Sequence, residues 1–526
     1  MFDWTFLLDA LPIVFPKDAL VVDFPNLTEI RTMLRSKTWL LWCLLLPFAR
    51  VQAQAMPPGL PELQIDWYKD TTMCDYVFLS NVRFVLPMTL SSAGMIFDRR
   101  GELVWYLPST DNLYNFSPQP DGTITFNVND TWFALDSSLN TTVIPTCDAA
   151  FGDFHDLILL PNGHRFELCF GDTIMDLRNI QTSSGQAGDS AANVRYNVIE
   201  ERNALGQLLK RWRGIDHFSP TSVDPEYFSF PWYLELLHTN SMDYDGQNLL
   251  LSHRSNHEVT LVDWASGQVK WRLGGVNSDF LFTNDGGFKS QHDARFAGNN
   301  RISIFDNRSL GTITTPRALV YTLDTALGAA TKVYDRIQSN SESPSMGSFR
   351  ELPNGDGLVC WGQVLPEDRA NISYYHADGQ KVCDWQFQNQ HLAYRAMCSE
   401  LPFEIERPEI VCNQQNGNLI LNVQGTYPSY LWSNGETTPI IQATDTGYYQ
   451  IYVPLGAGFV GSNVIHVTDL NSNCPSTPVE DPRQGGRPPK LVGIFDLLGR
   501  PVSEKKAGQI YVERYQNGLS RKVVAF

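Results

Sequence analysis

From residue 66 to about residue 400 the chain reads as strand after strand, broken by Gly, Asn and Asp turns and almost free of helical periodicity. Two turn signatures recur through this stretch. In the first, a tight turn precedes an aromatic residue; Asp98 to Gly101 leading to Trp105, and Trp264 to Gly267 leading to Trp271, are its clearest copies. Weaker copies run from Asn203 and Gly206 to Trp212, from Asp324 to Tyr334, and from His376 and Gly379 to Trp385, while Leu135 to Leu139 reads as a degenerate sixth. The second signature is a hairpin turn, met at Pro120–Gly122, Pro161–Gly163, Asp245–Gly246, Asn299–Asn300 and Pro353–Gly355. Repeats of roughly 40–60 residues made only of strands point to a β-propeller, because one such unit cannot bury its own faces. Six copies predict a six-bladed, all-β propeller over 66–402, with the longer gap between Gly163 and Gly206 as a blade-connecting insertion.

The rest of the 526 residues divides by composition. Residues 403–477, with Tyr430 to Pro439 and Thr446 to Val453, alternate like a small immunoglobulin-type β-sandwich. A Pro-, Gly- and Arg-rich linker follows over 478–490, then a last short β unit over 491–526. Near the start, Met33 to Thr38 supply a basic region, Trp39 to Phe48 an apolar run, and Ala53-Gln54-Ala55 a small-x-small cleavage site. Residues 33–55 therefore read as a signal peptide, and 1–32 as an upstream extension or a mis-assigned start at Met1 rather than Met33. The apolar run is shorter than the ~20 residues a membrane span needs.

Removing that leader takes Cys43 and leaves eight cysteines, an even number in an exported chain. Cys383 and Cys398 are close enough for a local bridge and Cys412 with Cys474 would brace the sandwich, although spacing alone does not fix pairing. No Cys-x-x-Cys zinc spacing occurs. The net charge of −17 argues against nucleic acid as a general partner.

Three histidines stand at one phase of the repeat. His155, His238 and His292 each lie eight residues ahead of a turn position, Gly163, Gly246 and Asn300 respectively. Eight residues span one ordinary strand at ~3.3 Å per residue, so in equivalent strands the three imidazoles meet at one end. Gly347 takes the matching place before Gly355. Arg254 falls eight residues after Gly246, and a hairpin there returns it to the end that carries His238, with Asn240 and Gln291 alongside. Alternation points His253 away from Arg254 and puts it, with His257, outside the site. Three imidazoles and a guanidinium suit a tetrahedral oxyanion, because Arg offers paired donors in a fixed fork and an imidazole can act as nucleophile. A three-histidine zinc or copper site is an alternative that the adjacent Arg254 opposes by repelling a cation. A non-catalytic propeller binding glycans or sulfated ligands is another.

The ordered set His155-Asp156 to Gly163, His238 to Ser241, Ser252 to Arg254, Gly267 to Gly274, Gln291 to Ala294, Phe305 to Asn307, Gly347 to Gly355 with Trp361-Gly362, and Tyr394 to Ala396 resembles the bacterial arylsulfate sulfotransferases, over roughly residues 80–400. The resemblance implies a six-bladed propeller that moves sulfuryl groups from an aryl sulfate donor to a phenolic acceptor, with no cofactor, no metal and no nucleotide sulfate. It implies that His292 is the nucleophile and forms a transient sulfohistidine. His238, Asn240 and Arg254 would bind the sulfuryl oxygens, and His155 would manage the phenolic proton. The strand before His238, Trp232 to Leu237, departs from the acidic-aromatic lead expected there, and no close cysteine pair precedes Gln291. The last unit, with Asp496 to Val502 and the closing Lys522 to Phe526, resembles the C-terminal sorting domain of type IX secretion cargo. That implies the secretion machinery as a partner and a secreted or surface location.

Overall fold

The computed structural model describes residues 50–69, 73–83, 91–147, 152–310, 314–388, 390–471, 474, 491–495, 501–502, 510–515 and 520–524. Residues 1–32, most of the expected leader (33–49) and the linker at 478–490 lie outside the described residues. The described part is all-β, with one-turn 3-10 segments and no α-helix.

Six sheets, each built on four antiparallel strands, follow one another along the chain, the third and fifth gaining a short parallel edge strand at Tyr233–Glu235 and Leu281–Phe282. The second sheet comprises Leu113–Pro118, Ile124–Val128, Thr131–Leu135 and Thr141–Ile144. The third comprises Gly152–Leu159, Arg165–Met175, Ala192–Arg202 and Leu208–Arg213. The fourth is Thr239–Tyr244, Asn248–His253, Glu258–Asp263 and Val269–Gly274. The fifth is His292–Phe296, Arg301–Asp306, Arg317–Asp324 and Ala329–Ile337. The sixth is Ser348–Glu351, Gly357–Cys360, Ile372–Tyr375 and Lys381–Phe387, extended at its edge by Leu63–Trp67 and Arg50–Ala53. The first sheet is assembled from both ends of this region: Leu392–Ser399 pairs with Tyr76–Val82, followed by Ser92–Asp98 and Leu103–Ser109.

The two turn signatures occupy two fixed places in these sheets. Hairpin turns join first to second strand in the second to sixth sheets, and turn-aromatic copies join third to fourth strand in all six. The aromatic after the turn is there for packing. Trp105, Trp212 and Trp385 are buried, and the Trp212 indole donates across to the Gly267 carbonyl of the next sheet at 3.1 Å. In the degenerate copy the left-handed turn position is Leu139, with φ of +62° where the clear copies have glycine. The long interval between Gly163 and Gly206 does not connect two sheets, as the sequence suggested. It lies inside the third sheet, whose second and third strands run 11 residues each in unbroken register.

The first strands touch in a closed order: Leu113–Pro118 meets Gly152–Leu159, then Thr239–Tyr244, His292–Phe296, Ser348–Glu351 and Leu392–Ser399, which returns to Leu113–Pro118. A disulfide between Cys74 and Cys398 clamps the junction of the two chain regions. This corrects the local Cys383–Cys398 bridge considered from spacing: Cys383 faces the core as a buried free thiol, as does Cys360. Cys147 pairs with Cys169, and Cys412 with Cys474.

Residues 403–471 form short antiparallel strands around a core containing Trp432, Leu421, Ile451 and Val467. They continue the first sheet, because Gly458–Gly461 pairs with Leu103–Ser109. A Cβ at Gly458 would lie 2.3 Å from the Tyr106 carbonyl oxygen, so only glycine permits that approach. Arg407 adds ion pairs to Asp98 (3.2 Å) and Glu102 (3.3 Å). The final unit is a four-stranded sheet in the order Pro501–Val502, Leu491–Phe495, Ile510–Tyr515, Ser520–Val524.

Candidate active site

The first strands of the third, fourth and fifth sheets carry the three phased histidines to one end. His155 lies within Gly152–Leu159, His238 immediately precedes Thr239–Tyr244, and His292 opens His292–Phe296. The hairpin returns Arg254 as the phase predicts, with the Arg254 backbone N–H donating to the His238 carbonyl at 3.1 Å. The His155 and His238 rings meet edge to face, their centroids 5.0 Å apart.

Each histidine is held by its Nδ1. His155 Nδ1 is 2.5 Å from Asp153 Oδ1, His238 Nδ1 is 2.9 Å from Glu235 Oε2, and His292 Nδ1 is 2.7 Å from Asn307 Oδ1. The Asn307 amide nitrogen donates to the Ser343 and Met346 carbonyls, both at 2.9 Å, so its Oδ1 is the acceptor and His292 Nδ1 carries the proton. The Nε2 of His292 then bears the lone pair. Among the described residues none of the three Nε2 atoms has a protein partner.

Electrostatics join these side chains into one site. Burial pushes the His292 imidazole well below its usual value, and the Arg254 charge adds to this; the Asn307 hydrogen bond opposes it, and His238 and His155 depress it further. His292 is therefore neutral at pH 7. Burial alone would raise Glu235, but the His238 charge and hydrogen bond, followed by His155 and Arg254, hold it at about 2. The acidic lead missing from the sequence pattern before His238 is supplied by Glu235, three residues ahead of it.

Among the described residues Arg254 forms no ion pair with a carboxylate. Its guanidinium lies 4.8 Å over the Tyr227 ring and donates to the Pro344 carbonyl at 3.0 Å, while its buried Nε has no partner among the described residues. The expected ligand Asn240 is fully buried, and its amide nitrogen donates to the Gln291 carbonyl at 2.7 Å. It keeps a second amide hydrogen, and its Oδ1 is unpartnered. Gln291 braces the fourth sheet, donating to the Ser252 hydroxyl and to the His253 and Glu258 carbonyls. His253 is buried against Phe218 with Nδ1 on Thr239 Oγ1, away from the cluster.

Below the histidines runs a layer of charge. Asp156 and Asp293 follow His155 and His292 directly, so alternation turns them to the other side of their strands. Asp156 pairs with Arg295 (2.8 Å) and Arg395 (3.5 Å); Asp293 pairs with Arg295 (2.7 Å), Arg350 (3.3 Å) and Arg395 (3.6 Å). Arg395 also donates to Asn115 Oδ1 at 3.1 Å and to the Asn240 carbonyl. Four of the six first strands contribute charged members, and the other two contribute Asn115 and the Asn240 carbonyl. The sequence carried a signal for this floor in its repeated His-Asp dipeptide. Asn307 fell within the Phe305 to Asn307 motif without its role being read there, and Asp153 and Tyr227 carried no signal, since these roles arise only through contacts across loops and sheets.

A metal reading fares differently. The group of ligating side chains whose ligand atoms lie within 4.8 Å of one another, among the described residues, is Cys147, Glu167 and Cys169. Its two sulfurs are joined to each other, and Glu167 is paired with Arg165 and Arg202.

Residues 190–389 match the model of the arylsulfotransferase (ASST) family. His238, Asn240, Arg254 and His292 fall inside that span, and His155 precedes it. No curated protein matches the chain. Similar solved structures include the hydrazine synthase of Kuenenia stuttgartiensis, with 9% identity, 61% of this chain and 70% of that chain covered, and a TM-score of 0.24. Apo AztD of Citrobacter koseri has 9% identity, 74% and 100% coverage and a TM-score of 0.29. A luciferin-regenerating enzyme has 6% identity, 66% and 93% coverage and a TM-score of 0.30.

Proposed function

We propose that the chain is an aryl sulfotransferase in which the six four-stranded sheets are the blades of a propeller and the histidine cluster is the site of sulfuryl transfer. The closed order of first strands and the completion of the first sheet from two distant chain regions support the propeller reading. The match of residues 190–389 to the arylsulfotransferase family supports the reaction class. The observation that carries the site is Arg254: a half-buried guanidinium that forms no ion pair with a carboxylate among the described residues, beside three imidazoles whose Nδ1 atoms are all anchored. Such a set suits a tetrahedral anion.

The reaction is a two-step exchange. His292 Nε2 attacks the sulfur of the aryl sulfate; the N–S bond forms as the S–O bond to the aryl oxygen breaks, and the phenolate takes a proton from His155. A phenolic acceptor then gives its proton to His155, its oxygen attacks the same sulfur, and the N–S bond breaks to return neutral His292. Arg254, the Nε2–H of His238 as an imidazolium and the second amide hydrogen of Asn240 donate to the sulfuryl oxygens. Asp153 orients His155 and faces the positive charge that its ring carries before the first step and regains in the second. Phe154 stacks on His155 with centroids 4.3 Å apart and meets Tyr114 (4.9 Å) and Tyr394 (6.1 Å), an aromatic surface suited to an aryl ring.

Export through a leader at 33–55 and a type IX sorting unit at 491–526 forms part of this reading and rests on the sequence patterns. Release of a chromogenic phenol from its sulfate ester, with phenol as acceptor, tests the activity. Wild type turns over and His292→Asn does not; a folded wild type inert toward several aryl sulfates would overturn the proposal.

A further inference from the structure

His257 ends the one-turn 3-10 segment Arg254–Asn256 in a left-handed conformation, φ +51°, and is buried. Both its ring nitrogens are engaged. Nδ1 lies 2.9 Å from the Ser290 backbone nitrogen and Nε2 lies 2.9 Å from Asp224 Oδ2. A backbone N–H only donates, so Nδ1 is the unprotonated nitrogen and the ring proton is on Nε2, aimed at the carboxylate. The ring is neutral and doubly tied.

The two segments it joins both reach the reactive histidine. Ser290 is two residues ahead of His292, has φ of +57°, and its carbonyl lies 3.2 Å from His292 Nδ1. Its hydroxyl receives the Tyr227 hydroxyl at 2.7 Å. Tyr227 belongs to the same 3-10 turn that Asp224 caps, and its ring lies under Arg254. Asp224, His257, Ser290 and Tyr227 thus form a closed circuit linking the support of Arg254 to the backbone of His292. A non-glycine residue held at φ +57° persists only where its surroundings fix it.

We propose that His257 is a positioning residue for His292, fixing the Ser290 backbone that holds His292 Nδ1 and the turn that carries Tyr227 beneath Arg254. Its role in turnover rests on the sulfotransferase reading; its role in placing His292 does not. The charged groups facing the ring are Asp224, Lys289 (3.8 Å from Asp224) and Arg254. Burial lowers the imidazole from its usual value; Asp224 opposes this, and Lys289 and Arg254 reinforce it, which favours the neutral form the circuit needs.

Two substitutions separate the two bonds. His257→Asn keeps an acceptor near the Nδ1 position and tolerates the left-handed backbone, whereas His257→Gln reaches toward Asp224 and leaves Ser290 without its acceptor. The full chain is assayed for kcat and KM with an aryl sulfate donor. The rate at which diethyl pyrocarbonate modifies His292, read by peptide mass, is measured in parallel and needs no turnover. His257→Gln should lower kcat roughly 10- to 100-fold, as expected for a misplaced reacting group, with donor KM nearly constant and His292 modification altered. His257→Asn should recover most of both. Equal behaviour of the two variants in modification overturns the positioning role. Wild type without turnover, but with modification still separating the variants, would remove the sulfotransferase reading and leave the positioning role standing. Should His257→Gln not fold, Tyr227→Phe removes only the hydroxyl on Ser290; it should shift His292 modification in the same direction, and no shift overturns the proposal.

Discussion

Arg395, from the strand that completes the first sheet, donates to the backbone carbonyl of Asn240 in the fourth sheet and faces both Asp156 and Asp293. A residue near the end of the repeat region thereby grips strands that carry the candidate catalytic histidines. Burial opposes ionisation of Asp156, but Arg295, then Arg395, and the Met242 backbone N–H hold its carboxyl below the usual range. Asp156→Ala leaves two buried guanidinium groups without that carboxylate and should cost about 3–5 kcal/mol. Urea unfolding of wild type and variant measures the difference; a change under 1 kcal/mol would mean that the floor is not a clasp.

The proton handling proposed for His155 has a signature in leaving-group dependence. A good leaving group departs as the anion, whereas a poor one needs its proton in the transition state. His155→Ala should lower kcat roughly 100- to 10,000-fold for sulfates of weakly acidic phenols, and much less for a nitrophenyl sulfate. A series of aryl sulfates in both proteins gives the two slopes, and parallel slopes would assign the proton elsewhere.

Arg254→Ala should reduce kcat on the order of 100- to 1,000-fold, as for the loss of a donor to developing charge. The variant loses more than one contact, because Tyr227 loses the guanidinium above it. Arg254→Lys keeps the charge but not the fork and should recover only part of the rate. Full recovery would make Arg254 a simple counter-charge.

Three buried histidines should make the fold acid-sensitive well above the carboxylate range. Burial and then Arg272 lower His253 to about 3, burial and then Arg83 lower His391 to about 4, and His292 is lowered well below 6.5. His391 is 2% exposed with Nδ1 on Asn81, which is why it joins this set. In each case the unfolded chain binds more protons than the folded one between the folded value and about 6.5, so stability rises with pH across that window. It is fully present above 6.5 and lost as pH falls toward 4 and then 3. Thermal melts from pH 7 to pH 4 should show a steady fall in Tm, with a shallower slope in His292→Asn.

Reduction of the Cys74–Cys398 bridge releases a loop of 324 residues. Cys398→Ser should cost about 2–4 kcal/mol. Differential scanning calorimetry with and without reductant reads the loss, and an unchanged transition would put the closure in strand pairing alone.

The sheets were legible because their turns are chemically marked. Gly and Asn at left-handed positions announce hairpins, and a strand of ordinary length sets the phase, so the relation of His238 to Arg254 could be drawn before any coordinates. Where the marker is replaced, as by Leu139, the repeat fades, although the backbone bends the same way. The anchors of the imidazoles were not legible. Asn307 reaches His292 from the next strand and Tyr227 reaches Arg254 from a loop, and no local pattern encodes either contact. Cysteine pairing failed for the same reason: Cys398 finds Cys74 through sheet closure at long range, which proximity in sequence to Cys383 conceals.

The strand Leu392–Ser399 pairs with Tyr76–Val82 and supplies Arg395 to the floor beneath the histidines. A nascent chain therefore carries His155, His238 and His292 for more than a hundred residues of synthesis before the element that locks their strands together has been made. On the proposed reading, reactivity begins only when that strand is in place, and a ribosome that stalls, or a protease that cuts, ahead of residue 392 leaves the imidazoles without Arg395 beneath them.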